Sequence, residues 1–202
     1  NQYLTNYRKI KESLKDIGTI KLIECNYSQY SSRYDAFKKG EVLPAFNPKM
    51  GGGALMDINI YNIHFVMGLL GEPKEVSYLA NIEKGIDTSG ILSLDYGDKK
   101  VVCIGAKDST APIRTIIQGD KGAIIIEGPT STIERFTIIN HQNKSEVIDS
   151  RVHAHRMYEE FTEFERIIRE SDFEAMTQHL DHSELVMSVV DKGLESAGII
   201  LG

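Results

Sequence analysis

Hydrophobic and polar positions repeat along this chain with two different periods. In residues 2–16 apolar side chains recur at spacings of three and four, which predicts a helix. Residues 19–30 are rich in β-branched and aromatic residues, which predicts a strand. Residues 31–50 contain two prolines and show no clean period, so we predict a long loop that leads into a cleft.

Residues 51–71, GGGALMDINIYNIHFVMGLLG, carry the clearest signal in the chain. Three glycines lead into apolar residues that cover most of a helix circumference, which predicts a largely buried helix. At about 100° per residue, Asp57, Tyr61 and His64 share one stripe of that helix. Unpaired buried polar groups cost about 1–3 kcal/mol each, so these three either satisfy one another and nearby backbone or face a cleft. They are our candidate catalytic residues, although Asp57 also suits the first turn electrostatically.

After Pro73 the period changes to two. Seven short apolar segments follow in close order between turn residues, which predicts an antiparallel meander because parallel strands require long crossovers. Residues 153–171 and 179–199 predict two further helices. The predicted fold is α+β, a single domain over residues 1–202, with a large, mostly antiparallel, open-faced sheet and its helices packed on one face.

The other face of this sheet is also predicted to be covered. The segments IRTIIQG and GAIIIEG are apolar at both alternating positions, whereas a solvated face would alternate with polar residues. Few helices remain to cover that face. We therefore expect a homodimer or tetramer formed through the sheet.

Composition narrows the class of protein. The 202 residues are 41% hydrophobic and 26% charged with a net charge of −6, which indicates a globular protein and argues against nucleic acid or anionic membranes as partners. No continuous apolar run has the length of a membrane span, and no signal peptide opens the chain. Cys25 and Cys103 lie in apolar strand-like segments, so we predict buried reduced thiols and a cytoplasmic protein. The chain starts with Asn1, which indicates part of a longer protein.

Two pairs of histidines resemble metal ligands at first sight. His153 and His155 open a predicted helix, and His179 and His182 lie in a polar patch at the start of another. No cysteine or obvious third ligand accompanies either pair, so we predict solvated surface for both and no metal site.

The three glycines at 51–53 match neither the dinucleotide fingerprint nor the phosphate loop. We interpret them as glycines that let a loop enter a closely packed helix. Arg33 lies in the preceding loop, where it would bind an anionic or hydroxylated substrate or else be an ordinary surface arginine.

The stretch GGGALMDINIYNIHFVMGLLGEP resembles the signature of the glucose–fructose oxidoreductase and inositol dehydrogenase (Gfo/Idh/MocA) family, GG-x-x-x-D-x-G-x-H/Y followed by a hydrophobic helix and G-x-P. The order of elements is similar to that of the family's second domain. The tyrosine form of the signature, preceded by Phe46-Asn47-Pro48, resembles the dihydrodiol dehydrogenase branch. Asn59 departs from the pattern, which has glycine there, and so affects the close packing expected at that point.

The resemblance implies a two-domain enzyme whose first, dinucleotide-binding domain precedes this chain and carries an E-K-P lysine. It implies NAD or NADP as cofactor, and hydride transfer to or from a sugar, polyol or related hydroxy or keto compound. This chain by itself is then expected to be inactive and to bind no cofactor tightly. The alternative is a non-catalytic module that has kept the fold for dimerisation or ligand sensing.

Carried over residue by residue, the resemblance makes Asp57 the aspartate that orients substrate and supports proton transfer. Tyr61 takes the His/Tyr position and becomes the acid/base. A phenol has an unperturbed pKa of about 10, so to act as an acid/base it would need a neighbouring cation. The E-K-P lysine could supply that cation. Arg33 and His64 are expected to bind substrate, His64 on the strength of the helical stripe alone.

Overall fold

The computed structural model describes residues 1–200, which form five α-helices and one open eight-stranded sheet. The α+β prediction is confirmed. The strands are β1 (Ile20–Ser28), β2 (Glu75–Glu83), β3 (Ile86–Asp95), β4 (Lys100–Ala106), β5 (Arg114–Gly119), β6 (Gly122–Glu127), β7 (Phe136–Asn140) and β8 (Ser145–Ile148). The helices are α1 (Thr5–Ser13), α2 (Ser32–Lys38), α3 (Ile60–Leu70), α4 (Tyr158–Glu170) and α5 (Phe173–Ser196).

The first strand occupies the centre of the sheet. The spatial order is β2-β3-β4-β1-β5-β6-β7-β8, with β1 parallel to β4 and antiparallel to β5. The sheet is therefore mostly antiparallel, as predicted, but the expected uninterrupted meander is wrong. The chain between β1 and β4 contains two helices and two strands, which is ample for the crossover that a parallel pair requires.

The core lies between one face of the sheet and the helices α1, α3 and α5. Their apolar side chains form one cluster with alternate strand residues such as Ile23, Leu92 and Ile117. The opposite alternation leaves Leu79 and Ile91 exposed on neighbouring strands. One face of the sheet is thus covered by helices of this chain, and the other carries apolar residues in contact with solvent.

Cys25 and Cys103 confirm the prediction of buried reduced thiols. They are directly opposite each other on β1 and β4, and both are fully buried and free. The pair packs within the main cluster of the core.

The glycine-led stretch forms the predicted buried helix, with one irregularity. Residues Leu55–Asn59 form a π-helical turn that continues directly into α3. The segment Pro48–Leu70 is long and apolar enough for a membrane span by length and composition, but half of it is buried inside the protein. We interpret it as the core helix of the domain.

Gly52 and Gly53 permit a close approach of the chain to itself, as predicted. A Cβ atom on Gly52 would lie 2.6 Å from the backbone nitrogen of Asn47. Gly53 has a φ of 109°, and a Cβ atom there would lie 2.1 Å from a carboxylate oxygen of Asp87. Only glycine fits these two positions without displacing the loop or the carboxylate.

Residues 31–50 are more ordered than the predicted loop. The Ser31 hydroxyl caps α2 by accepting from the Arg33 amide, and two short 3₁₀ turns follow. The rings of Phe37 and Phe46 stack at 5.0 Å between centroids and form a small second core with Ile86. These apolar contacts, which stabilise α2, join residues that are far apart in the sequence and produce no local period. The sequence pattern therefore missed α2.

The two C-terminal helices meet at a tight junction. Ser171 adopts the left-handed conformation that ends α4, and the Asp172 carboxylate caps α5 by accepting from Ala175. The second predicted helix therefore begins earlier than expected. The apolar side chains of α4, including Phe161 and Ile168, are exposed within this chain.

Gly53→Ala is expected to destabilise the fold because the new methyl group would overlap the Asp87 carboxylate at an unfavourable φ. We expect the free energy of unfolding to fall by about 2–4 kcal/mol. Gly40→Ala is the matched control, since Gly40 has a similar φ of 96° and open space around it. It should lose only about 1 kcal/mol in urea unfolding. Equal losses for the two variants would show that the carboxylate does not restrict Gly53.

Candidate active site

A polar cleft of about 310 Å³ opens where β1 and β4 end beside the π turn. It brings Arg33, Asp57 and Tyr61 together, three of the four residues selected from the sequence. Its lining consists of Tyr27, Gln29, Tyr30, Ser31, Ser32, Arg33, Asp57, Ile58, Tyr61 and Lys107. Hydroxyl, amide and charged groups dominate this set, which suits a ligand with several hydroxyl groups.

His64 lies apart from this cleft. It lines a separate cavity of about 480 Å³ bordered by α4 and α5, and Tyr61 borders both spaces. Tyr61 thus shares one space with Asp57 and the other with His64, and the three side chains of the predicted stripe do not meet in a single cleft. The π turn has more residues per turn than an α-helix, so it offsets Asp57 from the residues of α3.

Lys107 is the site residue that the sequence pattern missed. It directly follows β4, its side chain is only 2% exposed, and its Nζ lies 2.7 Å from Oδ2 of Asp57, whose side chain is 47% exposed. Nζ also donates to the Ala45 carbonyl and lies 4.2 Å from the centroid of the Phe46 ring. The sequence did contain a signal for Lys107. Alternate residues of a strand face the same side, and Cys103, Gly105 and Lys107 all fall on the side that faces the core.

The environment of Lys107 explains how a charge is tolerated there. Burial lowers the pKa of its ammonium group, and the Asp57 carboxylate acts in the opposite direction. A buried charge is costly unless it is paired and hydrogen-bonded, and here a carboxylate, a carbonyl and an aromatic face surround it. Removing either partner would leave the other uncompensated.

Asp87 anchors the start of the helix that carries Asp57 and Tyr61. Its fully buried carboxylate accepts through Oδ2 from the Leu55 amide at 2.7 Å and from the Tyr78 hydroxyl at 2.8 Å. Burial raises the pKa of this carboxyl, opposed by those hydrogen bonds. Among residues 1–200 its other oxygen has no hydrogen-bond partner and faces Gly53. A carboxylate at a helix start is favoured by the exposed amides there.

His64 pairs with His182 across the second cavity, with Nδ1 and Nε2 3.0 Å apart. Burial, followed by the charge of His182, lowers the pKa of His64 to about 4. His179 packs against the Tyr3 ring at 4.9 Å. The prediction that His179 and His182 are solvated surface is therefore wrong. They face a cavity that neighbouring helices enclose, a feature that no local pattern reports.

His153 and His155 are exposed at the approach to α4, and the His153 ring stacks on Tyr158 at 4.3 Å. Throughout the described part of the chain, no group of three or more His, Cys, Asp or Glu side chains is arranged to hold a metal ion.

Comparison with known proteins identifies the family. A model of the GFO/IDH/MocA C-terminal domain matches residues 7–125. The chain belongs to this family. The resemblance drawn from the glycine-led signature is confirmed.

Curated relatives of this GFO/IDH/MocA chain include proteins named as dehydrogenases. It is 33% identical to a scyllo-inositol 2-dehydrogenase (NADP(+)), IolU, of Bacillus subtilis, over 98% of the chain and 60% of that protein. It is 30% identical to a trans-1,2-dihydrobenzene-1,2-diol dehydrogenase of Xenopus tropicalis, over 98% of the chain and 61% of that protein. The chain thus spans about three fifths of the length of these relatives.

Solved structures support the fold. An inositol dehydrogenase homolog of Azotobacter vinelandii, complexed with NADH and myo-inositol, matches with a TM-score of 0.70 at 10% identity, over 98% of this chain and 60% of the other. A 3-ketoreductase of Actinomadura kijaniata, with NADP and TDP-benzene, matches at 0.67 and 16% identity, over 93% and 56%. At these identities the comparison establishes the architecture alone.

Asn59, where the family signature has glycine, is accommodated by a second glycine. A Cβ atom on Gly105 of β4 would lie 2.6 Å from the Asn59 Cβ. The buried Asn59 amide donates to the Cys103 carbonyl at 2.9 Å, and its oxygen accepts from Asn62 at 2.9 Å. The helix and β4 therefore pack closely at this point, because the glycine lies on the strand and not on the helix.

The glycines of this GFO/IDH/MocA chain do not form a site for the phosphates of a dinucleotide. The space beside Gly53 is filled by the Asp87 carboxylate, and the space beside Gly52 by the backbone of Pro44 and Asn47. A carboxylate in that position repels a phosphate group. The segment at Gly52 and Gly53 is therefore closed to a pyrophosphate group.

The lowered pKa of His64 predicts a loss of stability in mild acid. Between the unfolded value of 6.5 and the folded value of about 4, the unfolded chain binds more protons, so the free energy of unfolding falls as the pH decreases through this range. We expect a loss of about 1–2 kcal/mol between pH 7.5 and 4.5, allowing for partial exposure. Urea unfolding at these two pH values measures it.

His64→Gln should be less sensitive to pH, whereas the exposed His155→Gln should retain the full dependence. An identical dependence in both variants would show that the His64–His182 pair is not its source.

Proposed function

We propose that this chain is the substrate-binding and dimerisation domain of an NAD(P)-dependent oxidoreductase. The whole protein would transfer a hydride between a nicotinamide cofactor and a hydroxyl- or keto-bearing carbon of a sugar, polyol or related compound. The observation that carries the proposal is the convergence of Arg33, Asp57 and Tyr61 on one open polar cleft. The dehydrogenase relatives support it.

The cleft provides a role for each of its polar groups. Asp57 accepts a hydrogen bond from a substrate hydroxyl and thereby orients the carbon that reacts. Tyr61, 42% exposed and with its ring 5.9 Å from that of Tyr27, holds or receives the proton of the alcohol or carbonyl through its Oη. The Arg33 guanidinium and the hydroxyls of Ser31 and Ser32 bind the remaining substrate oxygens.

The nicotinamide cofactor supplies the hydride acceptor or donor, and we assign its phosphate-binding site to the part of the protein outside these 202 residues. Relatives named as NADP(+) enzymes favour NADP over NAD. In this scheme His64 contributes through the shape of the neighbouring cavity and not through direct contact with substrate. The balance of charge and the buried reduced cysteines agree with a cytoplasmic enzyme.

We assign assembly to the uncovered face of the sheet. Leu22, Leu79 and Ile91 are exposed there, and such residues are typical of a surface that pairs with another subunit. A homodimer or tetramer would bury them. A monomer in light scattering at micromolar concentration would contradict this assignment.

Calorimetric titration with NADH and NADPH tests the proposed function. We expect the whole protein to bind at least one of them and the 202-residue chain to bind neither, because the space beside Gly52 and Gly53 is filled by protein atoms. Binding by the isolated chain would show that the nucleotide site is misplaced. Binding by neither would favour the alternative, a non-catalytic module that dimerises or senses a ligand.

Tyr61→Phe tests the proton-transfer role. It removes only the hydroxyl, and we expect kcat of the whole protein to fall by about 10²–10⁴-fold with a smaller change in KM. Tyr158→Phe, at an exposed tyrosine on α4, should leave both parameters unchanged. Turnover within a few-fold of the parent in Tyr61→Phe would exclude the phenol as the acid/base.

A further inference from the structure

Among residues 1–200, Lys107 is the one lysine that is buried. A lysine side chain normally keeps its ammonium group in water, so burial at this point requires a reason. Lys107 is paired with Asp57, whose half-exposed side chain also lines the cleft. The pairing therefore links the buried ammonium group to the cleft.

The contacts of Lys107 argue against a direct chemical role. An ammonium group has three N–H donors. Here the Asp57 carboxylate, the Ala45 carbonyl and the Phe46 ring face surround Nζ. Lys107 borders the cleft, but only 2% of its side chain is exposed and these three groups surround Nζ, so we assign it no proton exchange with a ligand.

Asp57, in contrast to Lys107, is bound on one side and exposed on the other. One carboxylate oxygen is tied to Lys107, and among the described residues no other side chain pairs with this carboxylate. The backbone amide of Asp57 donates to the Gly53 carbonyl at 3.1 Å, which fixes the main chain beneath it. The carboxylate is therefore held from its buried side while its exposed side stays available to a ligand.

The backbone of Lys107 also contacts the segment that begins α2, on another side of the cleft. Its amide donates to the Thr88 carbonyl at 2.9 Å, and its carbonyl accepts from the Ser31 amide at 2.9 Å. Ser31 is the residue that caps α2, the helix that carries Arg33. Lys107, directly after β4, thus contacts both Asp57 and the cap of the helix that carries Arg33.

We infer that Lys107 is a positioning residue that fixes the Asp57 carboxylate in the orientation that binds a substrate hydroxyl. This inference rests on the proposed function and adds a residue to it. A carboxylate held from below presents one oxygen at a defined place, whereas a free Asp57 on an exposed helical turn would sample several rotamers. Misplacement of a substrate by about 1 Å can cost about 10²-fold in rate.

The test is a double-mutant cycle in the whole protein, with polyol turnover as the readout. We expect Lys107→Met to lower kcat/KM by about 10–100-fold. If Lys107 acts through Asp57, the double variant Lys107→Met/Asp57→Asn should be within about threefold of Asp57→Asn alone. A double variant whose loss equals the product of the two single losses would overturn the inference.

Lys84→Met is the matched control. The Lys84 Nζ also donates to a carbonyl, that of Phe37 at 2.6 Å, and lies 4.9 Å from an aromatic centroid, but it has no carboxylate in the cleft. It should retain the activity of the parent. A loss in Lys107→Met no larger than in Lys84→Met would overturn the inference.

The outcomes also separate this inference from the proposed function. Parental turnover in Asp57→Asn would overturn the role assigned to Asp57 and, with it, the inference about Lys107, whereas a parent protein without polyol turnover would overturn the proposed function. Parental turnover in Lys107→Met, together with a loss in Asp57→Asn, would overturn the role of Lys107 alone and leave the proposed function intact.

A second measurement keeps the test decisive if Lys107→Met fails to fold. In nitrogen-15 NMR of the whole protein, we expect the Lys107 ammonium to give a proton signal protected from exchange with water. Asp57→Asn keeps the lysine and retains an amide oxygen that can accept from its ammonium group, so it should disturb folding less than Lys107→Met does. In that variant the signal should shift and exchange at least tenfold faster. An unchanged signal would overturn the inference.

Discussion

The burial of one ammonium group constrains the arrangement of the whole site. A charge removed from water must be compensated locally, and for Lys107 the compensating groups come from segments far apart in the chain. Ala45 and Phe46 belong to the loop before the glycines, and Asp57 belongs to the π turn after them. The loop and the helix can meet at the end of β4 only if the chain between them turns tightly. Gly52 and Gly53 make that turn possible, because larger residues would overlap backbone or carboxylate.

A second buried charge of opposite sign lies on the other side of the same turn. The Asp87 carboxylate accepts from the Leu55 amide and borders Gly53, and it favours the charged form of Lys107. The start of the helix is therefore held between a buried anion and a buried cation. Such pairs add less to stability than their Coulomb energy suggests, because each ion loses its hydration. Their effect here is to define one orientation for Asp57, which is exposed and would otherwise be free to move.

The sequence predicted the features that depend on residues close together in the chain and missed those that depend on residues far apart. The buried helix with Asp57 and Tyr61, the seven strands after Pro73 and the buried thiols all produce local periodicity, and each is found in the structure. The parallel pairing of β1 with β4, the contact of His64 with His182 and the pairing of Lys107 with Asp57 join residues more than 40 positions apart. Local periodicity carries no information about such pairs. The inward alternation of β4 alone indicated Lys107, as a charge at a position that should be apolar.

The π turn decides which groups can act together. In a regular α-helix Asp57, Tyr61 and His64 would share one stripe, with His64 two turns away from Asp57. The π turn offsets Asp57 from α3, so that Asp57 and Tyr61 line the polar cleft whereas Tyr61 and His64 line the second cavity. There His64 contacts His182, and burial lowers its pKa to about 4. Arg33, Asp57 and Lys107 line the cleft beside Tyr61. Irregular helical turns of this kind are frequent at functional sites, and here the π turn carries Asp57 at the polar cleft.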